Sequence, residues 1–340
     1  MRFSSIYILT LLAAVSITAR AEPVIEKVDI TSDGHIEIYG SGFTAKKQAE
    51  PLYWFDFTPR PKSLSRVFLD LSKLNGNSIT QLVEGVDNKV LSFDAQVGRA
   101  WGPSSGLEFN SDKLYVNMRR YYDFDITDPE RWSSSGGLNL KVIRLWAGFT
   151  APNTNNIYLG YQGKEGVVSG RIVGEFTDKK TNWVSRTAPH KSFEWVNEEL
   201  IYKTSDINIA NGVFQYIQNG TFAKSEGEMN RTSERPLRYK MLFLDQVSNY
   251  NKAKPLEVFY DDIYIDETYH RVVLTDSASS DKYSRAVVQI PVVWRDNYIK
   301  ARLRDVSKNA VYLYVFNESN QSNKKGVRVC PKCPEPPVTN

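Results

Sequence analysis

Short runs in which apolar and polar residues alternate dominate the chain: HIEIYG, KLYVNMRRYY, LNLKVIRLW, FEWVNEELIYK, VFQYIQNG, RYKMLFL, LEVFYDDIYID, AVVQIPVVW, YIKARLR and VYLYVFN. A period of two sends successive side chains to opposite sides of an extended backbone, so each run reads as a strand with one dry and one wet face. Turn-forming clusters, SDG, SSSGG, APNTNN, ANG and QNG, separate them. Few windows carry apolar residues at the spacing of a helix face. The pattern predicts an all-β protein of the sandwich type. An aromatic content of 12%, led by 19 tyrosines, agrees with it. One stretch stands apart: Asp70 to Val86 is expected to hold a short helix or a long loop.

The 340 residues suit about two domains. At the start, Met1 and Arg2 lead into IYILTLLAAVSIT and then ARA, Ala19 to Ala21. This is the charged, apolar and small-residue order of a secretory signal, expected over residues 1–21. The apolar run is too short to span a membrane, and no later stretch is long and apolar enough. The expected location is therefore secreted, periplasmic or on the cell surface. The net charge is +4, and Arg2 and Arg20 of the signal supply two of those charges. The mature chain would have little sequence-independent attraction for phosphate, so nucleic acid is not an expected partner. An acidic polysaccharide would not be repelled. Cys330 and Cys333 form a lone C-x-x-C on a Pro-rich tail, 330–340, and His35, His190 and His270 are scattered singly. A four-ligand zinc site is not expected from that set, and the core must be stable without disulfides.

Two segments near the ends look like halves of one unit. PVIEKVDITSDGHIEIYGSGF resembles the opening strands of an IPT/TIG immunoglobulin-like domain, with Gly40 and Gly42 carrying much of the likeness. The stretch from Val287 to Val329, with Trp294 and Asp296, resembles the closing strands of the same domain. A lone hairpin is marginal in water. The expectation is that residues 22–44 and 269–329 fold together into one Ig-like domain, with residues 45–268 inserted. The alternative is two β-extensions flanking a central domain. The insert carries LNLKVIRLW, FEWVNEELIYK and VFYDDIYID, which resemble strands of concanavalin A-like lectin/glucanase domains, the laminin-G-like jelly roll that also serves many polysaccharide lyases. That resemblance implies a two-sheet jelly roll, and this sandwich hosts many functions.

Candidate residues follow from the alternation. Tyr115, Asn117, Arg119 and Tyr121 share one face of their strand, and Leu114, Val116, Met118 and Arg120 share the other. The first set should face a groove or solvent and the second the core. Arg144 and Trp146 share a face of theirs, Gln215 lies on VFQYIQNG, and His190 sits in a loop ahead of the Glu-rich strand. Aromatic faces stack on sugar rings, while Arg, Asn and Gln fix hydroxyls and carboxylates. Tyr115, Asn117, Arg119, Arg144, Trp146 and Gln215 are therefore the expected substrate-binding set. A binding module needs no more than these groups. A lyase abstracting the proton α to a uronate carboxyl also needs a base and a proton donor, and no catalytic residue can be assigned from sequence.

Glucanase chemistry is disfavoured. The family's E-x-D-x-x-E strand here reads E-W-V-N-E-E from Glu194 to Glu199, with Val196 in place of the middle acid. Two adjacent acids, Asp261 and Asp262, interrupt a strand; on a regular strand they point to opposite faces. An inward carboxylate needs a partner. The resemblance implies structural calcium at Asp261 or Asp262; an arginine, a backbone partner or a bulge would serve as well. The functional expectation is an exported carbohydrate-binding protein using the concave face of the jelly roll. A polysaccharide lyase acting on a uronate polymer is the alternative, and a surface or matrix scaffold a third.

Overall fold

The structure is a computed structural model that describes residues 21–55, 78–84, 89–95, 99–101, 107–133, 136–148, 155–164, 166–176, 181–184, 189–251, 253–254, 256–280, 282–304 and 311–329. The signal segment, residues 56–77 and the Cys330/Cys333 tail lie outside them. The fold is all-β, as the alternation predicts. Among the described residues the one helical turn is a 3₁₀ turn at Pro129–Arg131, started by Pro129 and capped by the Asp128 side chain. Where a helix or loop was expected between Asp70 and Val86, the backbone instead forms the strand Ser78–Glu84, paired with Lys89–Ala95. SITQLVE alternates well enough for a strand, and its hairpin partner supplies the ladder that a propensity argument cannot see.

Two antiparallel sheets make the jelly-roll sandwich. In one, Lys113–Tyr122 sits between Trp195–Lys203 and Leu256–Asp266. In the other, Leu138–Trp146 sits between Asn156–Lys164 and Met241–Ser248. Their facing sides hold the main core, which includes Leu114, Val116, Met118, Leu140, Ile143, Leu145, Leu200, Tyr202, Leu242, Leu244, Val258 and Ile263. Burying a side chain of this size contributes roughly 1.5–3 kcal/mol, so about thirty such residues outweigh any single polar contact.

The first and last described strands enter a third, seven-stranded sheet. His35–Ser41 pairs with Tyr298–Arg302, and Arg271–Thr275 lies between Ala286–Trp294 and Tyr312–Phe316. Residues 286–289 pair with Arg271–Thr275 and residues 290–294 with Tyr298–Arg302, the latter ladder slipping by one residue between Pro291 and Val293. The sheet folds over its own core of Ile36, Ile38, Phe43, Val272, Leu274, Trp294, Ile299 and Leu313. The GSGF segment is explained locally. A Cβ on Gly40 would meet the Val24 carbonyl oxygen at 1.9 Å, and Gly42 takes φ +73°. The backbone amides of Gly40 and Phe43 donate to the carbonyls of Asn297 and Asp296, and Trp294 Nε1 donates to the Thr44 carbonyl.

The opposite side of this third sheet presents Val273, Val288, Ile290, Tyr314 and Phe316. They pack on Tyr115, Ile201, Ile217 and Tyr264 of the jelly roll. The molecule is thus three layers deep on one side, and one outer face of the sandwich is largely an internal interface.

Candidate functional site

The six expected binding residues divide between the two outer faces. Tyr115, Asn117, Arg119 and Gln215 point away from the main core, as the alternation predicts, but they point toward the third sheet. Tyr115 is 0% exposed and Asn117 1%; the expectation that they line an open groove is corrected. The cause is the docked terminal unit. Tyr115 and Tyr283 each donate a hydroxyl to Glu199, at 2.6 and 2.7 Å, and the Arg271 guanidinium lies between the rings of Tyr115 (4.1 Å) and Phe316 (3.6 Å). Gln215 is half-buried on the same side. Arg119 lies beyond the covered zone, with its guanidinium over Trp195 at 5.0 Å.

Asp261 and Asp262 do not take opposite faces. The ladder slips between Asp261 and Tyr264, and Asp262 has φ +52°. This bulge brings both carboxylates toward Arg119, at 3.6 and 3.9 Å, while Arg304 forms an ion pair with Asp262. The Asp262 amide donates to the Asp261 carboxylate. Burial, and then the neighbouring Asp262, push the Asp261 carboxyl up to about 7 against the pull of Arg119. Two guanidiniums thus face the pair, as one of the alternatives to calcium allows, and no cluster of three or more metal-ligating side chains occurs among the described residues.

Arg144 and Trp146 lie on the other outer face, where none of the three hydrophobic clusters reaches. A bulge prepares them. Leu159 pairs with Ile143, while Gly160 pairs with Lys141; Val142 is therefore an extra residue opposite its neighbour strand. The skip turns Val142 and Ile143 both inward and brings Lys141, Arg144 and Trp146 to the outer side. Arg144 is 8% exposed because polar neighbours crowd it. Its Nε donates to Asn156 Oδ1 at 2.9 Å, Nη1 donates to Gln246, and Nη2 lies 3.6 Å from Glu175. Its guanidinium stacks over Trp146 at 4.6 Å and Tyr158 at 5.5 Å. The Tyr158 hydroxyl donates to Glu175 at 2.9 Å, and the Lys141 ammonium sits 5.1 Å from the Tyr158 ring. Burial, reinforced by Glu175, raises the Tyr158 phenol and keeps it protonated.

A pocket of about 80 Å³ adjoins this cluster, lined by Asn139, Tyr158, Gly160, Gln162, Arg171 and Val173 among others. Gly160 leaves the floor open, since a Cβ there would touch the Tyr158 ring at 3.0 Å. The combination is a flat, mostly cationic, aromatic face with fixed amides. It can stack on a ring and neutralise a carboxylate. Alternation pointed to Arg144 and Trp146. It missed Asn156, Tyr158, Glu175 and Gln246, although Tyr158, Gly160 and Gln162 recur at period two in NIYLGYQGK.

Inside the sandwich lies a set of charges that no motif announced. Arg120, fully buried, holds Glu198 at 2.8 Å and Asp245 at 3.0 Å. Asp245 also accepts from Tyr122 and Tyr260, and Glu198 accepts from Tyr216 at 2.6 Å. Burial pushes Asp245 up to about 6, with Arg120 opposing. Glu198 is thereby committed to the interior and Glu194 to an exposed ion pair with Lys191, so the two acids of the Glu-rich strand do not flank a common groove. His190, in the loop ahead of that strand, turns to the interior. It packs against Tyr122, Phe124 and Tyr161, and burial lowers it to about 4.

No protein-family model matches this sequence, and no curated protein does. Solved structures do show similarity. The endo-beta-1,4-glucuronan lyase of the fungus Trichoderma reesei is similar over 64% of this chain and 96% of its own, at 12% identity and TM-score 0.39. The marine PL-14 alginate lyase from Aplysia kurodai is similar over 64% and 99%, at 10% identity and TM-score 0.42. For the alginate lyase Aly36B the figures are 64%, 98%, 11% and 0.40. Likeness at this level carries no residue role from those enzymes to this chain. Among the described residues no helix is long and apolar enough to cross a membrane.

Proposed function

We propose that the face bearing Arg144, Trp146 and Tyr158 binds an acidic polysaccharide of the polyuronate kind. One observation carries this reading. The Arg144 guanidinium is held by Asn156 and Gln246 and lies over two aromatic rings, on a side of the sheet that no hydrophobic cluster of the described residues includes. A guanidinium fixed in advance loses little entropy when it grips a carboxylate, and its planar fork matches that group. Lys141 and Arg171 add positive charge along the same face, and Trp146 offers a ring for stacking.

The contact between Tyr158 and Glu175 favours a second reading on the same surface, β-elimination. There Arg144 would neutralise the uronate carboxylate and the enolate that develops from it. Glu175, half exposed, would take the proton from the carbon α to that carboxyl. A double bond then forms as the bond to the glycosidic oxygen breaks, and Tyr158, held protonated, would give its proton to that oxygen. The terminal unit is proposed to be Ig-like, a reading supported by the pairing of the N-terminal hairpin with Tyr298–Arg302.

The test uses native gels containing alginate or glucuronan. The wild type is expected to be retarded and Arg144→Ala to run freely. Retardation unchanged in Arg144→Ala would sink the reading. Incubation with the same polymers, followed by ultraviolet absorbance of unsaturated ends, separates the two versions. Product that forms in the wild type and vanishes in Tyr158→Phe establishes elimination; retardation without product leaves a binding surface.

A further inference from the structure

Among the described residues, the covered outer face is not covered along its whole length. Past Asn197, whose side chain accepts from the Ala286 amide of the terminal unit, three adjacent strands place aromatic residues side by side. Tyr121 pairs with Trp195 on one flank and with Phe259 on the other. The ring centroids are 5.8 and 5.9 Å apart. All three residues are partly exposed, and none belongs to any hydrophobic cluster of the described residues. Phe193, two residues ahead of Trp195, is 58% exposed. It takes φ +61°, an unfavourable backbone for a bulky residue, with its amide tied to the Tyr122 carbonyl. A sheet that needed only solubility would place polar residues here.

The next rung of the same face is polar and charge-balanced: Arg119 and Arg304 against Asp261 and Asp262. Arg119 reaches over the Trp195 ring at 5.0 Å, so donor and acceptor groups border the aromatic row directly. Rings offer faces to the C–H side of a sugar, while a guanidinium that donates and a carboxylate that accepts match paired hydroxyls. Because Asp261 and Asp262 already engage Arg119 and Arg304, this rung suits the paired donors and acceptors of an uncharged polyol better than a polyanion.

We propose that Trp195, Tyr121 and Phe259, with Arg119 and Asp262 beside them, form a second glycan site that takes a neutral sugar residue. It lies on the opposite side of the sandwich from Arg144 and does not depend on the polyuronate reading. A chain with both sites would join a neutral polymer to an acidic one, each bound to its own face.

Native gels cast with hydroxyethyl cellulose, mixed-linkage β-glucan or galactomannan, run beside alginate gels, provide the test. The wild type is expected to be retarded by at least one neutral polymer. Trp195→Ala should weaken that retardation about tenfold and leave the alginate result unchanged. Phe259→Leu keeps apolar bulk but removes a ring; it should fold as the wild type does, by near-ultraviolet circular dichroism, and weaken neutral-polymer retardation too. Failure of all three neutral gels to retard the wild type overturns the proposal, as does retardation that both variants retain. A wild type that sediments as a dimer, with a Phe259→Leu variant that sediments as a monomer, also overturns it, because the row then meets a second copy of the chain.

Discussion

The strands Lys113–Tyr122 and Leu138–Trp146 read alike in the sequence, each with an apolar series and a polar-aromatic series. Their fates differ. The first gives Tyr115 and Asn117 to an internal interface, whereas the second keeps Arg144 and Trp146 on a face that no hydrophobic cluster of the described residues includes. Both polar series point away from the main core, and alternation can say nothing more. Whether a wet-looking face meets water depends on a third layer whose strands come from the two far ends of the chain. Tyrosine suits either outcome: its ring packs against Val and Ile, and its hydroxyl finds Glu199.

The contrast can be broken experimentally, and the largest effect belongs to the covered face. Glu199→Ala strips the shared acceptor from Tyr115 and Tyr283, leaving two buried hydroxyls unpaired. The expected loss is about 3 kcal/mol in urea unfolding, with alginate retardation unchanged. The face that bears Arg144 should behave in the reverse way. Arg144→Ala is expected to weaken polyuronate binding about thirtyfold, or about 2 kcal/mol, read by titration against alginate, with a smaller change in unfolding. If both variants lose stability and neither loses binding, the division between the faces is wrong.

A third measurement addresses the interior between the faces. Asp245 holds its proton more tightly folded than unfolded, since its pKa rises from 3.8 to about 6. Its contribution to stability is therefore complete below pH 3.8 and is lost as pH climbs through 6. Unfolding midpoints of the wild type should fall across that window relative to Asp245→Asn; parallel curves would refute the assignment. The smallest effect concerns Asp261 and Asp262. With Arg119 and Arg304 as their countercharges, a chelator should leave the melting temperature where it was. A drop would assign calcium to this bulge, because a ligand of the native state must stabilise it.

The class of fold was legible because period-two patterning is a property of single strands. So were the inward turn of Val116 and Met118 and the outward turn of Arg144 and Trp146. What could not be foreseen depends on non-local geometry. A bulge at Asp261 and Asp262 was among the alternatives the sequence allowed, but that it swings Asp262 to its neighbour's side through one positive φ depends on the register with the adjoining strand. Tyr158, Glu175 and Gln246 reach Arg144 from three other strands, so their meeting depends on register. Arg120 looked like an imperfection in an apolar series. It is satisfied only because Glu198 and Asp245 arrive from both sheets.

The pairing of His35–Ser41 with Tyr298–Arg302 also has a consequence during synthesis. The hairpin must wait for its neighbour until the long stretch between Ser41 and Tyr298 has been made. During that interval Ile36 and Ile38 have no permanent shelter. Contacts this distant in sequence form slowly, and unpaired edges exposed meanwhile invite aggregation. Closure of the terminal sheet is thus the natural last event of maturation, and production of this protein should gain from factors that shield nascent strands.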